Sequence, residues 1–189
     1  MTAVKAATLT PTDALWPASL CARLGASAPL ALQTIGSAAL LKVHKTALFC
    51  SARTPGDAVL RAHDAARRLR DESVTVISGF HSPIEKECLR ILLRGKQPII
   101  ICPARAVEAM RIPTECRAAY DAGRLLFLSP FAEEPKRVTT ESALRRNEVV
   151  AALADDVFIA HVTPGGQTER MAEMLKRWRV RFISGDHAS

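Results

Sequence analysis

Small, hydroxyl and basic residues are concentrated in five short segments of this 189-residue chain: CSARTPGD, SGFHSPIE, CPARAVE, LSPFAEEPKR and HVTPGGQTE. Each segment follows a run of apolar residues, and most come directly before a helix-like pattern. Exposed backbone N–H groups, hydroxyls and guanidinium groups are the donors that proteins use to bind phosphate oxygens. The segments therefore predict a binding site for a phosphorylated ligand.

In the first segment, Ser51 and Arg53 could hold a phosphate through a hydroxyl and a guanidinium group. The alternative is a surface arginine beside a helix start. Thr54, Pro55 and Asp57 stand where an N-cap, a first-turn proline and a third-position carboxylate belong. The residues alone leave both interpretations open.

The second segment divides into two parts. Ser82, Pro83 and Glu85 form a capping box with proline at the first helical position, so helix initiation accounts for them. Capping does not account for the preceding turn, in which we predict a ligand site formed by Ser78, Gly79, Phe80 and His81. Phe80 is the best candidate for stacking on a base. A partly exposed turn histidine is the alternative for His81.

Two further groups of residues fit the same chemistry. Gly165 and Gly166 precede a helix that begins near Gln167 and Thr168, and a glycine pair there can form an anion-binding nest or an ordinary turn. Arg145, Arg146 and Asn147 lie on an earlier helix. Two adjacent arginines cannot both face the core, so at least one is exposed or contacts a ligand.

Motifs of other chemistries are missing from the sequence. It has no nucleophile elbow, no Walker lysine loop, no HExxH motif, no paired catalytic carboxylates and no G-x-G-x-x-G fingerprint. The five cysteines show no zinc-like spacing, and Cys50, Cys88 and Cys102 are predicted to be small buried side chains. We therefore predict no metal ion, no cofactor and no catalytic residue.

Alternating apolar runs and amphipathic stretches indicate the elements that position these segments. Predicted strands are residues 46–52, 74–78, 98–104, 124–131, 156–162 and 180–184, and predicted helices are 54–70, 83–94, 114–122, 140–154 and 167–178. Continuous apolar strands alternating with helices indicate a Rossmann-like, doubly wound α/β fold: a mostly parallel sheet with helices on both faces. Ligands of such folds bind beyond the carboxyl ends of the strands.

The first 40 residues differ in composition from the rest. They are rich in Ala, Pro, Ser and Thr, which predicts a partly helical or disordered N-terminal extension before a Rossmann-like domain over 41–189. No apolar run is long enough to span a membrane, and the N-terminus lacks a signal-peptide pattern. The expected location is the cytoplasm.

The formal net charge is +7, with 19 Arg against 7 Lys. The planar guanidinium group matches phosphate oxygens, so this excess favours a polyanionic partner. A GC-rich genome also increases the arginine content, and the charge is therefore supporting information only.

The segments together resemble the DNA-processing protein A (DprA, or Smf) family. The matching pieces are ALFCSAR, VISGFHSPIEKECLRILLRG, ALRRNEVVAALADDVFIAHV and PGG, in the family's order. The resemblance implies a Rossmann-like core, binding of single-stranded DNA, a role as recombination mediator in natural transformation, and a homodimer. It also implies DNA or phosphate contacts at Ser51, Arg53, Ser78, Gly79, His81, Arg146 and Asn147.

A second resemblance is to the cytokinin-activating LOG family of nucleoside-monophosphate phosphoribohydrolases. It depends on PGGQTER, which is similar to that family's proline-glycine-glycine loop but lacks its next glycine. It implies a nucleotide as the ligand, with Arg146 holding the phosphate and Glu169 assisting cleavage of the glycosidic bond.

Overall fold

One eight-stranded sheet organises the computed structural model, which describes residues 4–51, 55–108, 110–132, 135 and 137–184. Arg53 and Thr54 lie outside these residues. The strands are β1 (Ala7–Leu9), β2 (Leu32–Gly36), β3 (Lys45–Phe49), β4 (Thr75–Ser78), β5 (Ile99–Ile101), β6 (Leu125–Ser129), β7 (Asp156–Ile159) and β8 (Arg181–Phe182). The α-helices are α1 (Ala18–Leu24), α2 (Gly56–Asp71), α3 (Pro83–Leu93), α4 (Arg117–Asp121), α5 (Thr140–Leu153) and α6 (Gln167–Arg177).

The strand order is β1-β2-β6-β5-β4-β3-β7-β8. From β6 to β8 every neighbouring pair is parallel. Strand β3 lies between β4 and β7, so the chain winds outward from β3 first in one direction and later in the other. This confirms the doubly wound, Rossmann-like fold, and it places the switch point, where such folds bind ligands, between β3 and β7.

Each strand contributes side chains to both faces of the sheet. In β3, Ala47 and Phe49 pack with α1, α5 and α6, whereas Leu48 packs on the opposite face with α2 and α3. The other parallel strands alternate in the same way, for example Ile77 and Val76 in β4. Because both faces are covered, the strands read as continuous apolar runs in the sequence.

The N-terminal segment contributes more than the sequence pattern indicated. Helix α1 and the strands β1 and β2 lie in it, and β2 pairs antiparallel with β6 while β1 pairs antiparallel with β2. The strands were not predicted, because three to five residues between Pro-, Ser- and Thr-rich stretches carry little periodic signal. A Cβ at Gly36 would lie 2.2 Å from the carbonyl oxygen of Leu125, so the close pairing of β2 with β6 requires glycine there.

The capping predicted at the start of α3 is present, whereas the start of α2 differs from the prediction. At α3, the Ser82 hydroxyl accepts from the backbone N–H of Glu85, and the Glu85 carboxylate accepts from that of Ser82, which confirms the capping box. At α2, Pro55 occupies the cap position and makes no side-chain bond. Asp57 pairs with Arg61 at 2.6 Å within the first turns.

Predicted strands extend too far at their carboxyl ends. The first was expected to reach residue 52 but β3 ends at Phe49, and the fifth was expected to reach residue 162 but β7 ends at Ile159. The apolar pattern continues past each strand because the following residues are also partly buried. Beyond β3, Cys50 and Ser51 line a cavity instead of continuing the strand.

Four of the five cysteines are buried, including the three predicted to be so. Burial raises the pKa of the Cys102 thiol to about 12 and that of Cys116 to about 11. Such thiols stay protonated near neutral pH and do not act as nucleophiles. Among the residues described, no helix is both long and apolar enough to cross a bilayer.

Candidate functional site

A cavity of about 490 Å³ opens at the carboxyl edge of the sheet, next to the switch point between β3 and β7. Its walls come from four elements: the residues after β3, the turn into α3, the first half of α5 and the start of α6. Of the residues predicted to bind a ligand, it brings together Ser51, His81, Arg146, Asn147, Gly166, Gln167 and Thr168. Segments up to about 115 residues apart in the sequence thus meet at the carboxyl edge of the sheet, as expected for α/β folds.

Arg146 is the buried cation of this cavity, with 4% of its surface exposed. Its Nη1 donates to the carbonyl oxygen of Cys102 at 3.0 Å, and its Nε donates to Oδ1 of Asn147 at 2.7 Å. Both acceptors are neutral. Within the described part of the chain, no carboxylate lies within 4 Å of the guanidinium group. A buried charge without a counter-ion is costly, and an anionic ligand would supply the missing charge.

Gly79 makes room for Arg146. A Cβ at this position would lie 1.7 Å from Nη1 of Arg146 and 2.1 Å from its Cζ. Any other residue would displace the guanidinium group, which belongs to a helix 60 residues further along the chain. Gly79, which was predicted to belong to a ligand site, therefore allows the close approach of Arg146.

The predicted ligand contacts of two other residues in that turn do not fit their burial. Ser78 is fully buried, and its hydroxyl accepts from the backbone N–H of Phe80 at 3.3 Å. The backbone of Phe80 has a positive φ of 47°. Phe80 is 5% exposed and packs in the core between the sheet, α2 and α3. Phe80 thus offers no face to a base, and only His81 of this turn is exposed beside the cavity.

Glu85 has a role that the capping pattern did not reveal. One carboxylate oxygen accepts from the backbone N–H of His81 at 2.9 Å and from that of Ser82 at 3.2 Å. The other accepts from the backbone N–H of Cys50 at 3.1 Å. The buried side chain thereby ties the residues after β3 to the turn after β4 and fixes two walls of the cavity.

The start of α6 forms the wall opposite this turn. Gly166 is the cap residue and makes no side-chain capping bond, and Gly166, Gln167 and Thr168 line the cavity. Backbone N–H groups of the first helical turn lack partners within the helix, so this end favours negative charge. Gly165, with φ of 70°, donates its N–H to Oε2 of Glu169 at 2.7 Å and lies outside the lining.

The two adjacent arginines of α5 point to different places. Arg145 pairs with Glu148 at 3.3 Å and donates to the carbonyl oxygen of Ser27, next to α1, so it is not part of the cavity. Arg145 is half-buried beside Ser27 and Glu148, whereas Arg146 is buried and lines the cavity. No three His, Cys, Asp or Glu side chains within the described ranges are grouped as metal ligands would be.

Several lining residues carry no motif and were missed from the sequence. Thr140, Ala143 and Leu144 lie on the same face of α5 as the predicted Asn147, and Thr163 precedes α6. The available signal was helical spacing: positions three, four and seven residues before Asn147 share its face. This signal identifies a face, but only the packed structure shows that the face borders a cavity.

Sequence comparison gives the family. The model of the DNA recombination-mediator protein A family matches residues 7–177, which is most of the chain. This chain belongs to that family. None of the curated proteins matches it significantly in sequence.

Solved structures show the same fold. DNA processing protein A (DprA) from Streptococcus pneumoniae aligns with a TM-score of 0.74 at 18% identity, over 94% of this chain and 62% of that one. DNA processing protein A from Helicobacter pylori aligns with a TM-score of 0.73 at 19% identity, over 96% of this chain and 81% of that one. A molybdenum cofactor binding protein from Rippkaea orientalis aligns more weakly, with a TM-score of 0.52 at 8% identity over 75% of this chain and 76% of that one.

The chain thus spans less than two thirds of the length of the S. pneumoniae DprA protein. The match to the DprA family model begins at β1, in the segment whose strands the sequence pattern had not indicated. The antiparallel pair β1 and β2 is therefore part of the region that this family model describes.

Proposed function

We propose that this protein binds single-stranded DNA at the cavity on the carboxyl edge of its sheet, and that it acts as a recombination mediator in DNA processing or uptake. The observation that carries the proposal is Arg146, a buried cation that lines the cavity with only neutral acceptors around it. Family membership supports the proposal, as does the single-stranded DNA binding mode described for the H. pylori relative.

The phosphate backbone is the part of DNA that this site suits. A phosphate in the cavity would neutralise Arg146 and accept from backbone N–H groups at the start of α6, while Ser51 and Thr168 line the same space. Phosphate contacts carry no sequence information, so we expect binding with little base preference. The net charge of +7 adds a general attraction for a polyanion.

A free nucleotide is the second candidate, and the cavity volume favours it. About 490 Å³ falls within the range of roughly 300–1,000 Å³ typical of small-ligand pockets. Cleavage of the nucleotide has less support, because the Glu169 carboxylate accepts from the N–H of Gly165 and does not line the cavity. We therefore place nucleotide binding, without hydrolysis, second to DNA.

One titration separates the two ligands. Fluorescence anisotropy with a labelled oligo-dT strand would be measured at several salt concentrations, with unlabelled nucleoside monophosphates as competitors. DNA binding predicts an affinity that falls steeply with salt, by roughly 0.7 in log–log slope for each phosphate contacted. Displacement of the strand by micromolar monophosphate would assign the cavity to a nucleotide. Absence of binding to either ligand at low salt would refute both functions.

We also propose a homodimer in the cytoplasm, for which the resemblance to DprA proteins is the support. Sedimentation equilibrium over a range of protein concentrations tests the oligomeric state. A single species with the mass of one chain at all concentrations would contradict it.

A further inference from the structure

A groove between α5 and α6 continues from the cavity. It has a volume of about 200 Å³ and shares four residues with the cavity: Leu144, Asn147, Gln167 and Met171. It extends further along α6, to Met174 and Arg170. A ligand with its phosphate at Arg146 can therefore extend directly into the adjoining groove.

Three apolar side chains, Leu144, Met171 and Met174, line the groove together with four polar or charged ones. Leu144 is 37% exposed, at the place where the groove and the cavity meet. Met171 is buried and Met174 is partly buried against the core below. Thioether groups adapt to the shape of a ring and make favourable contacts with its edge. Such a surface suits the flat, apolar face of a nucleobase.

The charged side chains at the rim of the groove favour the negatively charged phosphate backbone of a nucleic acid. Arg170 lines the groove and makes no ion pair among the residues described. The carboxylate of Glu148, also at the rim, is neutralised by Arg145 at 3.3 Å. The rim is thus net basic, and its continuity with the Arg146 cavity favours one strand of nucleic acid as the occupant of both.

We propose that the groove between α5 and α6 is a base-binding subsite, in which Leu144, Met171 and Met174 contact the nucleobase adjacent to the phosphate held at Arg146. This rests on the proposed DNA-binding function. It supplies the base contact that Phe80, being buried, cannot make. With about 200 Å³, the groove covers a single base instead of enclosing a whole nucleotide.

The experiment compares two labelled strands of equal length and charge: oligo-dT, and an abasic strand with tetrahydrofuran in place of every nucleoside. The variant is Leu144→Ser, and Leu60→Ser is its matched control, an exposed leucine on α2 far from the groove. Wild-type protein is expected to bind oligo-dT more tightly than the abasic strand. Leu144→Ser should weaken binding of oligo-dT by about three- to tenfold, as expected for loss of an apolar contact of this size, and leave the abasic strand unaffected.

Each other outcome has a definite meaning. Equal weakening of both strands, or of neither, would overturn the base subsite while leaving DNA binding intact. A change in oligomeric state of Leu144→Ser by sedimentation would assign the groove to contact between copies of the chain, and would overturn it as well. If wild-type protein bound neither strand at low salt, the proposed DNA-binding function itself would fail. Thermal melting of the variant shows that it is folded.

Discussion

The two edges of the parallel sheet differ in how their buried charged side chains are paired. At the amino edge, the buried carboxylate of Asp156 accepts from Nε of Arg181 at 2.8 Å, from its Nη2 at 2.6 Å and from Nε2 of His44 at 2.8 Å. Lys45, also buried, lies 3.3 Å from Asp155. At the carboxyl edge, the guanidinium group of Arg146 meets only a carbonyl and an amide oxygen.

The buried charge at the amino edge is paired within the protein, whereas Arg146 at the carboxyl edge is paired with no carboxylate among the described residues. Hydrogen bonds from Arg181 and His44 lower the pKa of Asp156, so its ionised form stabilises the folded state. Arg146 has no such partner within the described residues and lines a cavity at the switch point. The carboxylate at that edge, Glu85, accepts from three backbone N–H groups instead.

The strongest test of this contrast is Arg146→Ala, with the adjacent Arg145→Ala as control. Loss of the buried guanidinium should weaken DNA binding by about tenfold or more, because hydrogen bonds to charged groups contribute about 1.5–3 kcal/mol. The salt dependence should also become shallower. Arg145 points to Ser27 and Glu148, so its loss should change affinity by less than about threefold. Equal effects of the two substitutions in anisotropy titrations would show that the cavity is not the site.

Gly79→Ala should act through Arg146 without removing it. The added Cβ overlaps the guanidinium group and displaces it, so we expect affinity to fall by about five- to tenfold. Gly56→Ala is the matched control, because a Cβ there meets no atom within 4 Å and lies at the start of α2. Unchanged affinity in Gly79→Ala would mean that the position of Arg146 does not determine binding.

Asp156→Asn tests the amino edge by stability. We expect it to lower the free energy of unfolding by about 1–2 kcal/mol, because the amide has no negative charge and keeps only one of the two oxygens that accept from Arg181 and His44. Arg146→Met should cost less, since it removes a buried charge that has no counter-ion. Urea denaturation of both variants measures the difference. A larger loss at position 146 would show that Arg146 is mainly structural.

The smallest expected effect is a change, at acidic pH, in the stability difference between wild type and Asp156→Asn. The folded-state pKa of Asp156 lies below its ordinary value of 3.8, so its contribution is present above about pH 3.8 and is lost as pH falls through the lower folded value. The stability difference between wild type and Asp156→Asn should therefore shrink on acidification below pH 4. A difference that stays constant between pH 6 and pH 2.5 would show that the carboxylate's charge is not what stabilises this edge.

The sequence was sufficient for the architecture of the core. Six strands and the helices that follow them were predicted to within a few residues, because apolar periodicity reports burial on both faces of a sheet. The strands β1 and β2 were missed, since both are short: β1 pairs with β2, and β2 pairs with β6. Such pairing depends on residues about 90 positions away and leaves little local pattern.

The sequence predicted which segments form the candidate site, but it did not predict which side chains within them face the cavity. Ser51, His81, Arg146, Asn147 and the start of α6 do line one cavity. Ser78, the last residue of β4, and Phe80, just after it, are buried, and the ring of Phe80 packs in the core. Arg145 and Arg146 are equivalent in a linear pattern, and their separation depends on which face of α5 meets the sheet.

For this protein, the sequence alone determined the order of strands and helices from β3 onward, the basic charge and the loops that follow the carboxyl ends of the strands. These are local properties: periodicity, capping and composition. Only the tertiary structure decided that Arg146 is buried beside Gly79 with no carboxylate near it among the described residues, and that Glu85 reaches the backbone of Cys50. Burial and pairing of a charge depend on neighbours brought together by packing, and no local pattern specifies them.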